Sequence, residues 1–146
     1  MRVLLDENVP EPLHAVLARL LRPRHEVDHV AAIAWRGKKD VPLLRDARTR
    51  GYAAFVTNDV SQYDDPDECD AIRRSGLHHV TYELPASGLD GLALASAALC
   101  ASLRALVDEL DMAGSQRLAR IRSFRAGTRR YDITDPATRP PSGYWR

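Results

Sequence analysis

The sequence predicts an α/β fold: a mainly parallel sheet of four to five strands with helices packed on both faces. Three observations predict it. Short apolar runs suited to buried strands recur at "RVLL" (2–5), "YAAFVTND" (52–59) and "LHHVTYEL" (77–84). The segments between them return their apolar residues at helical spacing. Two of the runs stop abruptly on acids, Asp6 and Asp59. That puts polar chemistry at the carboxyl ends of strands, where parallel sheets bind ligands.

The elements follow in order. After the first strand, "PEPLHAVLARLL" (10–21) places apolar residues at 13, 16, 17, 20 and 21, one face of a helix. Pro10 and Pro12 suit its first turn, where a missing N–H costs nothing. "HEVDHVAAIA" (25–34) reads as a second strand and its exit. "DVPLLRDARTRG" (40–51) reads as a helix, with Asp40 placed to cap it and Gly51 to stop it. "DDPDECDAIRRSG" (64–76) is a shorter helix, with Asp64 or Asp65 as the cap and Gly76 as terminator. β-branched and aromatic residues mark 77–84 as the fourth strand.

"GLDGLALASAALCASLRALVDELDM" (88–112) is a long Ala/Leu-rich helix with little charge before Arg104, expected to be buried or shared with a partner. "QRLARIRSFRAG" reads as an edge strand, with Leu118, Arg120, Arg122 and Phe124 on one face and Ala119, Ile121 and Ser123 on the other. The turn-rich end carries Tyr144 and Trp145, aromatics that suggest it docks somewhere. The organisation expected is one domain over 1–115 and a basic C-terminal extension over 116–146.

Composition narrows the class. The chain has 146 residues, 45% of them hydrophobic, and a mean hydropathy of −0.35, which suits a globular protein with one core. No window is expected to reach the roughly 18 apolar residues of a membrane span, and the N-terminus lacks the basic-then-apolar pattern of a secretory signal. Cys69 and Cys100 lie outside any metal-ligand spacing and read as free thiols of a reducing cytoplasm. Net charge is +1, but residues 116–146 carry +6 and the remainder −5. An acidic body thus bears a basic tail.

Three acids should meet at the carboxyl rim: Asp6 past the first strand, Asp59 past the third, and Asp40 at the start of the intervening helix. Unpaired carboxylates repel and raise one another's pKa. A hard divalent cation, Mg²⁺ or Mn²⁺, relieves the repulsion. Each acid has a competing reading. Asp40 suits a helix cap, Asp6 and Asn8 suit caps for the helix near Pro10, and Asp59 suits an Asx-turn.

"MRVLLDENVPEPLHAVL" followed by "DVPLLRDARTRGYAAFVTND" resembles the PIN-like ribonuclease superfamily, and more narrowly the compact VapC-type toxins of bacterial toxin–antitoxin pairs. The resemblance spans residues 1 to about 84. It implies a three-layer α/β/α fold and an Mg²⁺- or Mn²⁺-dependent endoribonuclease with Asp6, Asp40 and Asp59 as metal ligands. Asn8 and Thr57 match polar residues that orient the carboxylates or the metal-bound water. The family pattern continues Thr-x-Asp-x-Asp-Phe, whereas here Ser61 and Gln62 stand where the next acid would fall. Asp64 or Asp65 could supply that acid, and capping the next helix explains them equally well. The implied partners are an RNA substrate, a small cognate antitoxin, and a second copy in a homodimer or toxin–antitoxin hetero-oligomer.

An acidic centre repels RNA, so its flanks must attract it. Candidates are Arg36, Lys38 and Lys39 before Asp40, and tail arginines such as Arg122 and Arg125. Trp35 or Tyr63 could stack on a base, although Trp35 suits a core role equally well. A receiver-type phosphoacceptor domain is a rival, since it too has acids after strands one and three. It needs a lysine late in the chain, and none follows Lys39. An inactive PIN-like binding or assembly module is the second rival. The five histidines form no metalloprotease pattern, and there is no Gly-rich phosphate loop or nucleophile elbow.

Overall fold

The computed structural model describes residues 1–142. Five strands form one sheet: β1 (Arg2–Leu5), β2 (Glu26–His29), β3 (Ala54–Thr57), β4 (His78–Tyr82) and β5 (Leu118–Ile121). Their order is β2-β1-β3-β4-β5 and every pairing is parallel. Four α-helices connect them: α1 (Glu11–Leu21), α2 (Asp40–Thr49), α3 (Pro66–Ser75) and α4 (Gly88–Asp111). The expected α/β architecture is therefore present. The order reverses at β1, the first strand, which fixes a switch point at the carboxyl edge beside Asp6.

Side-chain alternation divides the core in two. Val3 and Leu5 of β1 join Val56, Val80 and Ile121 under α1 and α4. Leu4 and Phe55 point the other way and meet Leu43, Leu44, Ala47 and Ile72 of α2 and α3. Asp6 and Thr57 continue the parity of Leu4 and Phe55, so both lie on the α2/α3 side of the sheet.

Several boundaries differ from expectation. The second strand ends at His29: the Val30 amide makes a last ladder bond to the Leu5 carbonyl at 3.0 Å, and the Ala32 amide then turns back onto the His29 carbonyl at 2.8 Å. Asp40 does not cap α2: it is the first helical residue, Lys39 is the N-cap, and no side chain caps that end. Neither Asp6 nor Asn8 caps α1, whose N-cap is Pro10. Asp65 does cap α3, its carboxylate accepting from the Asp67 and Glu68 amides. Gly76 ends that helix at φ 67, as a C-terminal glycine should. An unforeseen 3₁₀ turn spans Val60–Tyr63.

In α4, Ala95, Ala98, Leu99, Leu103, Val107 and Leu110 are buried, and Leu89 is exposed. Contrary to the sequence expectation, α4 is long and apolar enough to cross a membrane, with a hydropathy of 1.5 over its best window. By length and composition, core helices pass the same test. The helix begins under a tight constraint, since a Cβ on Gly91 would fall 1.7 Å from the Ala86 carbonyl oxygen.

As expected, β5 is an edge strand, with Ala119 and Ile121 turned to the α1/α4 core and Leu118 exposed. Beyond it, residues 124–142 are exposed and carry no helix or strand. The expected docking of Tyr144 and Trp145 lies outside the described residues. Both cysteines are free thiols.

Candidate functional site

The three residues Asp6-Glu7-Asn8 diverge to three separate tasks. Asp6 is 9% exposed, and its amide donates to the Val56 carbonyl at 2.9 Å, continuing the β1–β3 ladder by one residue. Its Oδ2 accepts from Thr57 Oγ1 at 2.6 Å and from Asn8 Nδ2 at 2.7 Å, and its Oδ1 accepts from the Glu7 amide at 2.7 Å. Glu7 points outward, and its Oε2 accepts from the Gly37 amide at 3.0 Å, fixing the loop that leads to Asp40. Asn8 ties the rim together. Its Nδ2 also donates to Thr57 Oγ1 at 2.8 Å, its Oδ1 accepts from the Asn58 amide at 3.1 Å, and its carbonyl accepts from Tyr82 Oη at 2.9 Å.

Thr57 is the node of this network and is fully buried. Besides donating to Asp6, its hydroxyl accepts from Asn8 and, at 3.0 Å, from the Asp59 amide. The hydroxyl therefore fixes the start of the Asp59 turn as well as the Asp6 carboxylate.

Burial raises the Asp6 pKa, and the charges of Asp40 and Glu7 raise it further; the Thr57 and Glu7 hydrogen bonds oppose this. Asp40 and Asp6 thus act on each other across the α2/α3 face of the sheet. Asp40 is half-exposed in the first turn of α2, where the helix dipole favours its negative charge. The capping explanation for Asp40 and Asp6 is removed by these contacts. For Asp59 the Asx-turn reading holds: its Oδ1 accepts from the Ser61 amide at 2.9 Å and from Ser61 Oγ at 2.5 Å, opening the 3₁₀ turn.

The sequence reading missed Glu68. Partial burial raises its pKa, followed by the charges of Asp40, Asp65 and Asp59. Asp64 is exposed. A weak signal was present, since Glu68 sits on the first turn of a helix opened by the acidic run Asp64-Asp65-Pro66-Asp67. Only the packing of α3 beside α2 shows that it faces Asp40.

These carboxylates form an electrostatic group without forming a closed cage. Among the described residues, no three His, Cys, Asp or Glu side chains are grouped to hold a metal ion as they stand. The donor chemistry is nevertheless that of a hard cation site, all carboxylate oxygen with net repulsion.

A buried polar cluster supports the Asp59 turn from below. His79 of β4 hydrogen-bonds Gln62 Oε1 through Nε2 at 3.0 Å and Tyr63 Oη through Nδ1 at 2.7 Å. Gln62 Nε2 is buried without a partner among the described residues. Burial lowers the His79 pKa to about 4, so the ring is neutral over most of the pH range.

The expected cations are distributed unevenly. Arg36 is paired with Glu11, and Lys38 Nζ lies 2.6 Å from Asp46 Oδ2. Lys39, Arg122 and Arg125 are exposed. Trp35 packs against the α2/α3 core, and its ring lies under both Lys38 and Arg50, which favours the core role. His25 and His29 are buried and hydrogen-bonded to Asp108 and to the Val9 carbonyl, which makes them structural.

A family model described as a PIN-like domain matches residues 1–83. The matched segment runs from β1 through β4 and includes Asp6, Asn8, Asp40, Thr57, Asp59 and Glu68. No curated protein and no solved structure matches the chain.

Proposed function

Because this chain belongs to the PIN-like domain family, whose members are commonly nucleases, we propose that it is an Mg²⁺- or Mn²⁺-dependent endoribonuclease. We assign it the role of toxin in a cytoplasmic type II toxin–antitoxin pair. The observation that carries the reading is Asp6: a carboxylate buried at the switch point, oriented by Thr57 and Asn8, with its pKa raised beside Asp40. Such a group is costly to keep charged, and a function that needs its charge accounts for the cost.

Asp6, Asp40 and Asp59 would hold the cation, with Glu68 beside them. Asp59 would share it through Oδ2, since both Ser61 bonds fall on Oδ1. The bound cation would supply Lewis-acid polarisation of the scissile phosphate and a water of lowered pKa. The reaction forms a bond from water oxygen to phosphorus and breaks the bond to the 3′ oxygen, which takes up the proton. The products are a 3′-hydroxyl and a 5′-phosphate. Asn8 and Thr57 keep Asp6 fixed throughout, and the exposed Lys39, Arg122 and Arg125 attract the RNA backbone. A small antitoxin encoded beside this chain would block the site, and a homodimer or hetero-oligomer would present the surface of α4.

A specific observation favours a second reading. The acids are not grouped around one point, and Asp59 is committed to its turn, as in an inactive PIN-like binding or assembly module. Full-length protein incubated with labelled RNA in EDTA, Mg²⁺ or Mn²⁺ separates the two. The nuclease reading expects metal-dependent cleavage leaving 5′-phosphates, reduced at least ~100-fold by Asp6→Asn, a loss of about 2.7 kcal/mol in barrier lowering. RNA binding without cleavage supports the module. Cleavage unaltered in the variant contradicts the nuclease reading.

A further inference from the structure

Immediately beside the Asp59 turn, the edge of the sheet holds a recess that the chain leaves unfilled. Its volume is about 370 Å³, and Val60, Tyr63, Thr81, Leu118, Ala119 and Arg120 line it. The recess follows from strand parity. Because β5 turns Ala119 and Ile121 into the α1/α4 core, Leu118 and Arg120 stand on the opposite face, level with His79 and Thr81 of β4. Val60 and Leu118 are 53% and 64% exposed, large for apolar walls of a cavity.

We propose that this recess receives a nucleobase of single-stranded RNA next to the scissile phosphate. The inference rests on the nuclease reading and specifies how that site holds its substrate. Three observations carry it. Val60 directly follows Asp59, so the recess opens one residue from the acid cluster. Its chemistry is mixed in the manner of single-strand binding sites, with apolar walls for a base and a cation for the backbone. Arg120 supplies the cation, its guanidinium held 2.8 Å from Glu83 Oε1 and thereby oriented. Finally, the exposed Arg122 and Arg125 extend the positive charge into the segment after the strand, which complements a phosphate chain rather than an apolar protein helix. The volume lies within the ~300–1,000 Å³ of small-ligand sites.

The test uses full-length Asp6→Asn protein and a 12-nucleotide single-stranded RNA carrying 4-thiouridine. Ultraviolet crosslinking followed by peptide mass spectrometry is expected to place adducts on the peptides holding Val60–Tyr63 or Leu118–Arg120. In the same background, Val60→Ala with Leu118→Ala should weaken binding roughly tenfold by fluorescence anisotropy, the scale of one lost base-stacking contact. Both residues are exposed, and an unchanged circular-dichroism melt verifies folding. Adducts confined to other peptides, or unchanged affinity in the double variant, overturn the subsite and leave metal-dependent cleavage by the wild type untouched. Failure of the wild type both to bind and to cleave RNA overturns the subsite together with the reading beneath it.

Discussion

Thr57→Val tests the rim network most sharply, because it keeps the shape of the side chain and removes only its hydroxyl. That hydroxyl makes three hydrogen bonds: one to Asp6 Oδ2 at 2.6 Å, one from Asn8 Nδ2 at 2.8 Å and one from the Asp59 amide at 3.0 Å. The site is fully buried, so water cannot replace it cheaply. The Asp6 bond is charge-assisted, and its loss costs ~1.5–3 kcal/mol. Asn8 keeps its bond to Asp6, so the main new orphan is the Asp59 amide, worth ~1 kcal/mol or more. A total loss of about 3 kcal/mol should lower Tm by roughly 6–12 °C for a domain of this size. Thr57→Ser retains the hydroxyl and deletes one buried methyl, so it should cost only about 1 kcal/mol. Urea denaturation followed by circular dichroism measures both, with an unchanged m-value showing that stability alone has moved. Equal stability of the valine and serine variants would refute the network as drawn.

Two further outcomes follow from the same geometry. His79 has a folded-state pKa of about 4 against an ordinary 6.5. Its neutral form is therefore favoured by folding: the contribution is present above pH 6.5 and declines as pH falls toward 4, by about 3 kcal/mol in all. Denaturation curves at pH 7 and pH 4.5 should show most of that loss, and His79→Gln should flatten the dependence; a variant with the wild-type pH slope would contradict it. Removing residues 126–146 spares β5 and its core residues Ala119 and Ile121. The truncated chain should keep the wild-type Tm yet bind RNA several-fold more weakly at low salt, with a shallower salt slope; identical salt slopes would remove residues 126–146 from RNA binding and leave Arg122 and Arg125 as the contacts.

Much of the architecture was legible because buried parallel strands announce themselves. "RVLL" and "AAFVT" hold the apolar runs Val3–Leu5 and Ala53–Val56, and the glycine and aspartate punctuation of α3 matches its observed ends. Residue type misled at Asp40, since aspartate suits both the cap and the first helical turn, and only the backbone shows that Lys39 occupies the cap. The 3₁₀ turn after Asp59 escaped because its four residues lack a period, and its stability comes from Gln62 and Tyr63 reaching His79, sixteen or seventeen residues away. Glu68 escaped for a similar reason: an acid on a helix's first turn looks like dipole stabilisation until α3 is seen against α2. The bonds of Asp6-Glu7-Asn8 were legible as a polar rim and illegible in detail, because Thr57, Gly37 and Tyr82 come from elsewhere in the chain.

The claim that organises the site is that the acids at 6, 40 and 59 share one divalent cation. Titrating Mn²⁺ into the full chain and counting the free ion by electron paramagnetic resonance measures it without any substrate. Saturable binding at one or two ions per chain, weakened at least ~10-fold by Asp6→Asn and again by Asp40→Asn, is the predicted result. Mn²⁺ that stays free at millimolar concentrations of folded protein, or binding that both variants leave unchanged, would contradict it.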